Sequence, residues 1–271
     1  MRHDRLDEWA EWMLMTGASD KTIRTRVQNI EGLTRHAGIQ DPEMITTRHI
    51  VAWLARRELS DWTRLTYWHS ATAWGRGLLE REHRDVDPAA KLPRVKNPKS
   101  RPRPVPDEVI ERMLADPRST RAYAYTVLAV FQGLRVHEIA MFDGAWIQGR
   151  WLWVRGKGNA DDAIPVHPRT VRLAAGRPLA GYWFPGAMNG HVRPVSVSAT
   201  LRLALEAAGS DAKPHGLRHS YGTMLQRRVR NIRTTQQLMR HRSLAATQVY
   251  TLVSDRDMIE AIGTLDWGRA A

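Results

Sequence analysis

The sequence predicts a mainly α-helical chain of two domains, the second interrupted by one small antiparallel sheet. Three observations lead there. Apolar residues recur at spacings of three and four through the first 87 positions, as Leu6, Trp9 and Met13 and again as Ile23, Val27, Ile30 and Leu33, which places them on single helix faces. A proline-rich basic stretch then breaks the helical pattern, and a second helical region follows with a single β-rich interruption. At 271 residues the chain is long enough for two domains that each bury a core.

Residues 1–90 form the first predicted domain, a four-helix unit with short connections. Ser19, Thr46 and Ser60 stand where helix caps are wanted. Its tryptophans, Trp9, Trp12, Trp53, Trp62, Trp68 and Trp74, are expected in core or rim packing.

Residues 91–105 read as a linker. KLPRVKNPKSRPRP carries Lys91, Arg94, Lys96, Lys99, Arg101 and Arg103 with no acidic residue, and its prolines forbid a continuing helix. Two readings stand: a solvated tether, or a positive strap that follows a phosphate backbone.

The second domain spans 106–271. In AWIQGRWLWVRGKGNADDAIPVH the runs from Trp151 to Arg155 and from Ala163 to His167 are rich in β-formers and flank a glycine-containing turn, so a hairpin with Lys157 at its tip is expected. Helical patterns resume at SVSATLRLALEAAG, where Ser196 or Ser198 can cap and Gly209 can terminate, and continue through HGLRHSYGTMLQRR, IRTTQQLMRH and SLAATQVYTLV. There is no internal repeat.

Lys plus Arg number 41 against 28 for Asp plus Glu, and the net charge of +13 with a pI near 10.7 calls for a polyanionic partner, nucleic acid before membrane. Hydrophobic residues make up 42%, so this charge sits on a folded surface and not on a disordered tail. The absence of cysteine removes disulfides, thiolate catalysis and cysteine-ligated zinc. MRHDRLDEWAEWMLMTG lacks the apolar core of a signal peptide, and nowhere do about 18 uncharged apolar residues run together. The expected setting is cytoplasmic.

Taken singly, each candidate functional residue has an ordinary explanation. Arg135 and Glu138 in GLRVHEIAMF share a helix face and can be a plain ion pair. His215 and Arg218 in PHGLRHSYGT share a face by the same spacing, with Pro214 setting His215 near a helix start. A hairpin-tip Lys157 is usually solvated, His241 can end a helix, and Tyr250 can simply pack. Together they offer two arginines, a lysine, two histidines and a late tyrosine in a basic protein without a metal motif. Attack on a phosphodiester builds negative charge on the non-bridging oxygens, which guanidinium groups meet with paired, rigidly aimed donors.

In that order GLRVHEIA, the turn RGKG, PHGLRHSYGT and LMRHRSLAATQVYT resemble the consecutive signature motifs of the tyrosine recombinase, or phage-type integrase, family, running from Arg135 to Tyr250. The amino-terminal 105 residues match less by motif than by organisation. The resemblance implies a helical SAM-like core-binding domain followed by a catalytic domain of the DNA breaking-rejoining fold. It implies Tyr250 as the nucleophile forming a 3′-phosphotyrosyl bond, and Arg135 and Arg218 as clamps on the phosphate. Lys157 would be the acid that protonates the departing 5′ oxygen, His215 the base, His241 a hydrogen-bond donor to the phosphate, and Glu138 a support for this geometry. One phosphodiester is exchanged for a phosphotyrosine and back, so no metal, ATP or other cofactor is implied. The implied partner is double-stranded DNA carrying specific recombination sites, on which four protomers assemble and exchange strands through a Holliday junction. The implied source is bacterial or phage, with the protein on the nucleoid. The tail beyond Tyr250, with Met258, Ile259, Ile262 and Leu265 at helical spacing, is expected to dock on a neighbouring protomer in preference to its own domain.

Three departures from the family pattern stand out. Arg240 precedes His241 where glycine is common, Asp161 and Asp162 follow the lysine hairpin where basic residues are frequent, and Gly216 is unusual within its motif. With the core-binding region expected almost from the first residue, a simple recombination site without distant arm sequences is expected. Two alternatives remain open on the sequence: a type IB topoisomerase that relaxes supercoils with similar groups, and a non-catalytic sequence-specific DNA-binding protein.

Overall fold

A computed structural model describes residues 4–98, 102–116, 119–155, 161–187, 190–229 and 231–240. The chain divides into two compact units, residues 1–99 and 100–271. No helix among the described residues is long and apolar enough to cross a membrane.

The first unit contains α1 (Asp4–Met15), α2 (Asp20–Ala37), α3 (Thr47–Leu54) and α4 (Asp61–Glu80). All three expected caps form. The side chains of Ser19, Thr46 and Ser60 accept from the backbone N–H groups of Thr22, His49 and Thr63, and each such cap contributes about 1 kcal/mol. Gly38 closes α2 in the left-handed conformation, φ 67°.

The periodic residues then meet: Leu6, Trp9 and Met13 of α1 and Val27, Ile30 and Leu33 of α2 are buried with Ile50 and Trp53 of α3 and Trp74 and Leu78 of α4. Trp9 meets Trp74 edge to face at 5.0 Å, and Trp53 stacks on Tyr67 at 4.0 Å. Gly77 permits this packing, because a Cβ there would lie 2.8 Å from the Trp9 Nε1. Trp12 sits at the rim, its Nε1 donating to Glu80, and Trp62 is exposed.

The second unit runs α5 (Asp107–Ala115), α6 (Thr120–Phe131), α7 (Val136–Ala140), β1 (Ile147–Gln148), β2 (Trp151–Arg155), β3 (Asp161–Pro165), α8 (Pro168–Ala174), α9 (Pro194–Ala207), α10 (His215–Val229) and α11 (Ile232–Met239). Its centre is α6, whose residues Ala124 to Val130 are all buried and which packs against α5, α8, α9 and α10. The sheet is antiparallel in the order β1-β2-β3, with Trp151 opposite Pro165 and Trp153 opposite Ala163. Leu152, Val154 and Ile164 point into the core while Trp151 and Trp153 stay exposed, the alternation expected of a sheet with one covered face.

Several boundaries differ from the sequence expectation. The second hairpin strand is Asp161–Pro165, earlier than Ala163 to His167, because Pro168 at a helix start turns His167 into the cap of α8. A third strand, β1, joins the hairpin. The helix expected to be capped by Ser196 or Ser198 begins instead at Pro194. Around the basic stretch, Leu92 packs on the first core, and Val105 is buried in the second. Lys91, Arg94, Lys96 and Arg103 are exposed; Lys99 and Arg101 lie outside the described residues.

Candidate active site

The site grows from the turn between α6 and α7. Gly133 takes φ 59°, and an added Cβ would run into the Tyr221 ring of α10, so glycine is needed twice over. Leu134 then inserts into the core. Arg135 is extended, φ −76° and ψ 155°, and stands just before α7 instead of within it. Glu138, in the first turn of that helix, reaches back to it. The Arg135 backbone N–H donates to Glu138 Oε2 at 2.6 Å and the Arg135 Nη1 to Oε1 at 2.9 Å. The spacing of three therefore marks a helix start, where a carboxylate satisfies an otherwise unpaired N–H. The Arg135 side chain is 36% exposed, against 3% for Glu138.

Arg218 comes from the first turn of α10 and is buried. Its Nη1 donates to the Gly133 carbonyl and its Nη2 to the Met239 carbonyl at the end of α11. One guanidinium thus joins the turn that presents Arg135 to the segment that leads into His241.

His215 opens α10, and its ring meets that of His219 edge to face at 4.6 Å. Partial burial lowers the pKa of His215, and the positive charges of Arg218 and Arg135 push the same way. Burial, followed by His215 and Arg218, takes His219 down to about 4. Both imidazoles are neutral at neutral pH, the state in which a ring nitrogen accepts a proton.

Two features of the surroundings went unread in the sequence. Gln132, three residues before Arg135, is buried; its Nε2 donates to the Pro165 carbonyl at 3.3 Å and its Oε1 accepts from the His167 N–H at 2.6 Å. It fastens the end of β3, and so one strand of the β2–β3 pair, to the Arg135 turn. Arg240, noted only as a departure from glycine, sends its guanidinium inward to Glu138. Burial opposes ionisation of Glu138, but the charge and hydrogen bonds of Arg240, the Arg135 N–H and the charge of Arg218 outweigh it, holding the carboxyl at about 2. The unusual Gly216 also has a local reason. A Cβ there would lie 3.0 Å from the Arg103 carbonyl, and the Val105 N–H donates to Ser220 Oγ one turn along α10.

The structure therefore gathers Arg135, Glu138, His215 and Arg218. Lys157, His241 and Tyr250 lie outside the described residues, as do the four apolar positions of the tail.

Comparison with known proteins matches residues 104–256 to the phage integrase family. Tyrosine recombinase XerC of Neisseria meningitidis serogroup B is 31% identical over 273 residues, 91% of this chain and 89% of that protein. Among solved structures, an integrase from mycobacterium phage Brujita is 38% identical and covers 100% of this chain and 95% of its own, with a TM-score of 0.52. A lambda integrase dimer (residues 75–356) bound to a COC′ core site covers 99% of this chain and 98% of its own at a TM-score of 0.74; at 19% identity it shows likeness of fold. The chain belongs to the phage integrase family of tyrosine recombinases.

Proposed function

We propose that this chain, a site-specific DNA recombinase by its family, cuts and rejoins duplex DNA through a covalent link between Tyr250 and a 3′-phosphate. The Tyr250 phenol oxygen attacks the scissile phosphorus and passes its proton to His215, held neutral by its surroundings. The bond from phosphorus to the 5′ oxygen breaks, and Lys157 protonates the leaving oxygen. Arg135 and Arg218 meet the charge that builds on the non-bridging oxygens, and His241 adds a hydrogen bond. Rejoining runs the same steps backwards with a 5′-hydroxyl from the exchanged strand. Each step trades one phosphoester for another, so neither ATP nor a metal is needed.

The observation that carries this reading is the knot of Arg135, Glu138, Arg218 and His215, assembled from two sequence motifs some 80 residues apart. The comparisons favour neither the relaxing enzyme nor the non-catalytic binder. In the same reading, residues 1–90 grip the duplex core site, the basic stretch 91–105 follows the backbone through Lys91, Arg94, Lys96, Lys99, Arg101 and Arg103, and residues 106–271 do the chemistry. Similar structures include a lambda integrase tetramer bound to a Holliday junction and XerH bound to its difH substrate. By that likeness, four protomers act on paired sites and exchange strands through such a junction. The setting is the nucleoid, in the cytoplasm.

The test uses nicked suicide duplexes tiled across the DNA that flanks the encoding gene, incubated with the full chain. A denaturation-resistant protein–DNA adduct is expected with wild type and is lost in Tyr250→Phe. Specific binding without an adduct would favour a pure DNA-binding protein, and relaxation of plasmids that lack any target would favour a topoisomerase.

A further inference from the structure

Arg240 follows α11 directly and takes the left-handed conformation, φ 53° and ψ 50°. Among the described non-glycine residues only Glu82 shares a positive φ. Glycine accepts that backbone freely and arginine does so at a cost, which a side-chain contact can offset. Its guanidinium supplies one. The side chain is 2% exposed, and its Nη1 and Nη2 donate to the two oxygens of Glu138 at 3.2 and 2.8 Å. Each of those oxygens also accepts from Arg135. One carboxylate is therefore shared, oxygen by oxygen, between Arg135 of one motif and Arg240 more than 100 residues later.

We propose that Arg240 is a positioning residue of the cleavage site, fixing the Arg135 guanidinium through the shared carboxylate and offsetting that carboxylate's charge beside the scissile phosphate. The proposal rests on the reading in which Arg135 and Arg218 grip the phosphate. Without Arg240, Glu138 would cancel one of those two charges at the spot where negative charge develops. With it, the site keeps two net positive charges, and Glu138 keeps both oxygens aligned on Arg135. The same pair ties the end of α11 to the start of α7, while Arg218 ties the carbonyl of Met239 to the turn before Arg135.

The groups that face Glu138 are Arg135 and His137 beside it, Arg218 from α10 and Arg240 from the end of α11; Tyr221 of α10 lies near Arg218 and Arg240. Of these, Arg240 contributes the largest opposing charge, so its loss leaves a buried carboxyl that ionises less readily.

The experiment is single-turnover cleavage of the nicked suicide duplex that wild type attacks, at saturating protein, between pH 5 and 8. Arg240→Met should slow cleavage by about 10- to 100-fold, the scale of a misplaced catalytic group, with little change in affinity for the uncut duplex. Its rate should also begin to fall at a higher pH than that of wild type, whose own acid decline follows His215 alone. Arg240→Lys, which keeps the charge, should recover part of the rate. In a Glu138→Gln background the same Arg240→Met change should cost less than about threefold and leave the acid limb where it was, because the group it acts through is gone. If the methionine variant melts early, Arg240→Gly, which suits the backbone, should show the same rate loss and the same limb. Equal cost in both backgrounds, or a pH profile parallel to wild type, overturns the proposal. A wild-type chain that leaves no adduct overturns the cleavage reading, and the proposal falls with it.

Discussion

Among the described residues of the first unit, the buried polar residues are Thr34 and Ser70, and the core is carried by ring packing such as Trp9 on Trp74. Arg81, whose side chain is sheltered there, lies over the Trp74 ring and pairs with the partly exposed Glu8 at 3.6 Å. The second unit buries Glu138, Arg218 and Arg240 together, with Gln132 and Ser220 close to them in sequence or on the same helix. Apolar packing needs only volume and period, and it tolerates imprecise partners. Buried charges need partners with defined geometry, because an unpaired one costs several kcal/mol, on the order of 3–5 when a pair is broken. The first unit is thus built like a scaffold, and the second holds a polar centre whose members depend on each other.

Substitutions can break that contrast, and the largest effect is expected at Arg218. Arg218→Ala should cut single-turnover adduct formation by about 1,000-fold or more, the scale of losing a preorganised charge donor. It should also lower stability by roughly 2–4 kcal/mol in denaturant melts, because the carbonyls of Gly133 and Met239 lose their donors. A normal rate in a destabilised protein would break the comparison. Trp74→Ala should cost about 3–5 kcal/mol of stability through the cavity it leaves. Its cleavage rate, measured on the fully bound suicide duplex, should stay close to wild type. Gly133→Ala should cost about 1–3 kcal/mol, from a strained φ and the clash with the Tyr221 ring, and should slow cleavage as the Arg218 anchor shifts.

The smallest effect is in pH. His215 takes a proton only when neutral, and burial with two neighbouring arginines lowers its pKa in the folded chain. The second-order cleavage rate constant, which reports the free enzyme, should therefore hold steady as pH falls past the ordinary histidine value and decline only below it. A decline at or above the ordinary value would show that the arginines do not act on His215.

The same contrast explains how far the sequence could be read. In the first unit Ser19, Thr46 and Ser60 each cap a helix within three residues, and the apolar period does the rest, so local signals sufficed. In the second unit the two-residue β1 is too short for any periodic signal, and the β-rich run up to His167 hid the helix start marked by Pro168. Arg135, His215 and Arg218 were legible because their motifs run in order along the chain. Gln132 and Arg240 were not, because their partners Pro165 and Glu138 lie far off in sequence. Arg240 did leave one trace, an arginine where the pattern favours glycine. The backbone there takes the left-handed conformation that suits glycine, and the side chain bonds to Glu138.

The central claim is chemical and concerns one tyrosine. Trypsin cleaves after Arg242 and Arg256, so residues 243–256, SLAATQVYTLVSDR, come off as one peptide with a single tyrosine. Mass spectrometry of a trapped, nuclease-trimmed adduct should find a nucleotide joined to that peptide at Tyr250. Strand cleavage with the nucleotide on another residue, or with no protein attached at all, would contradict the account.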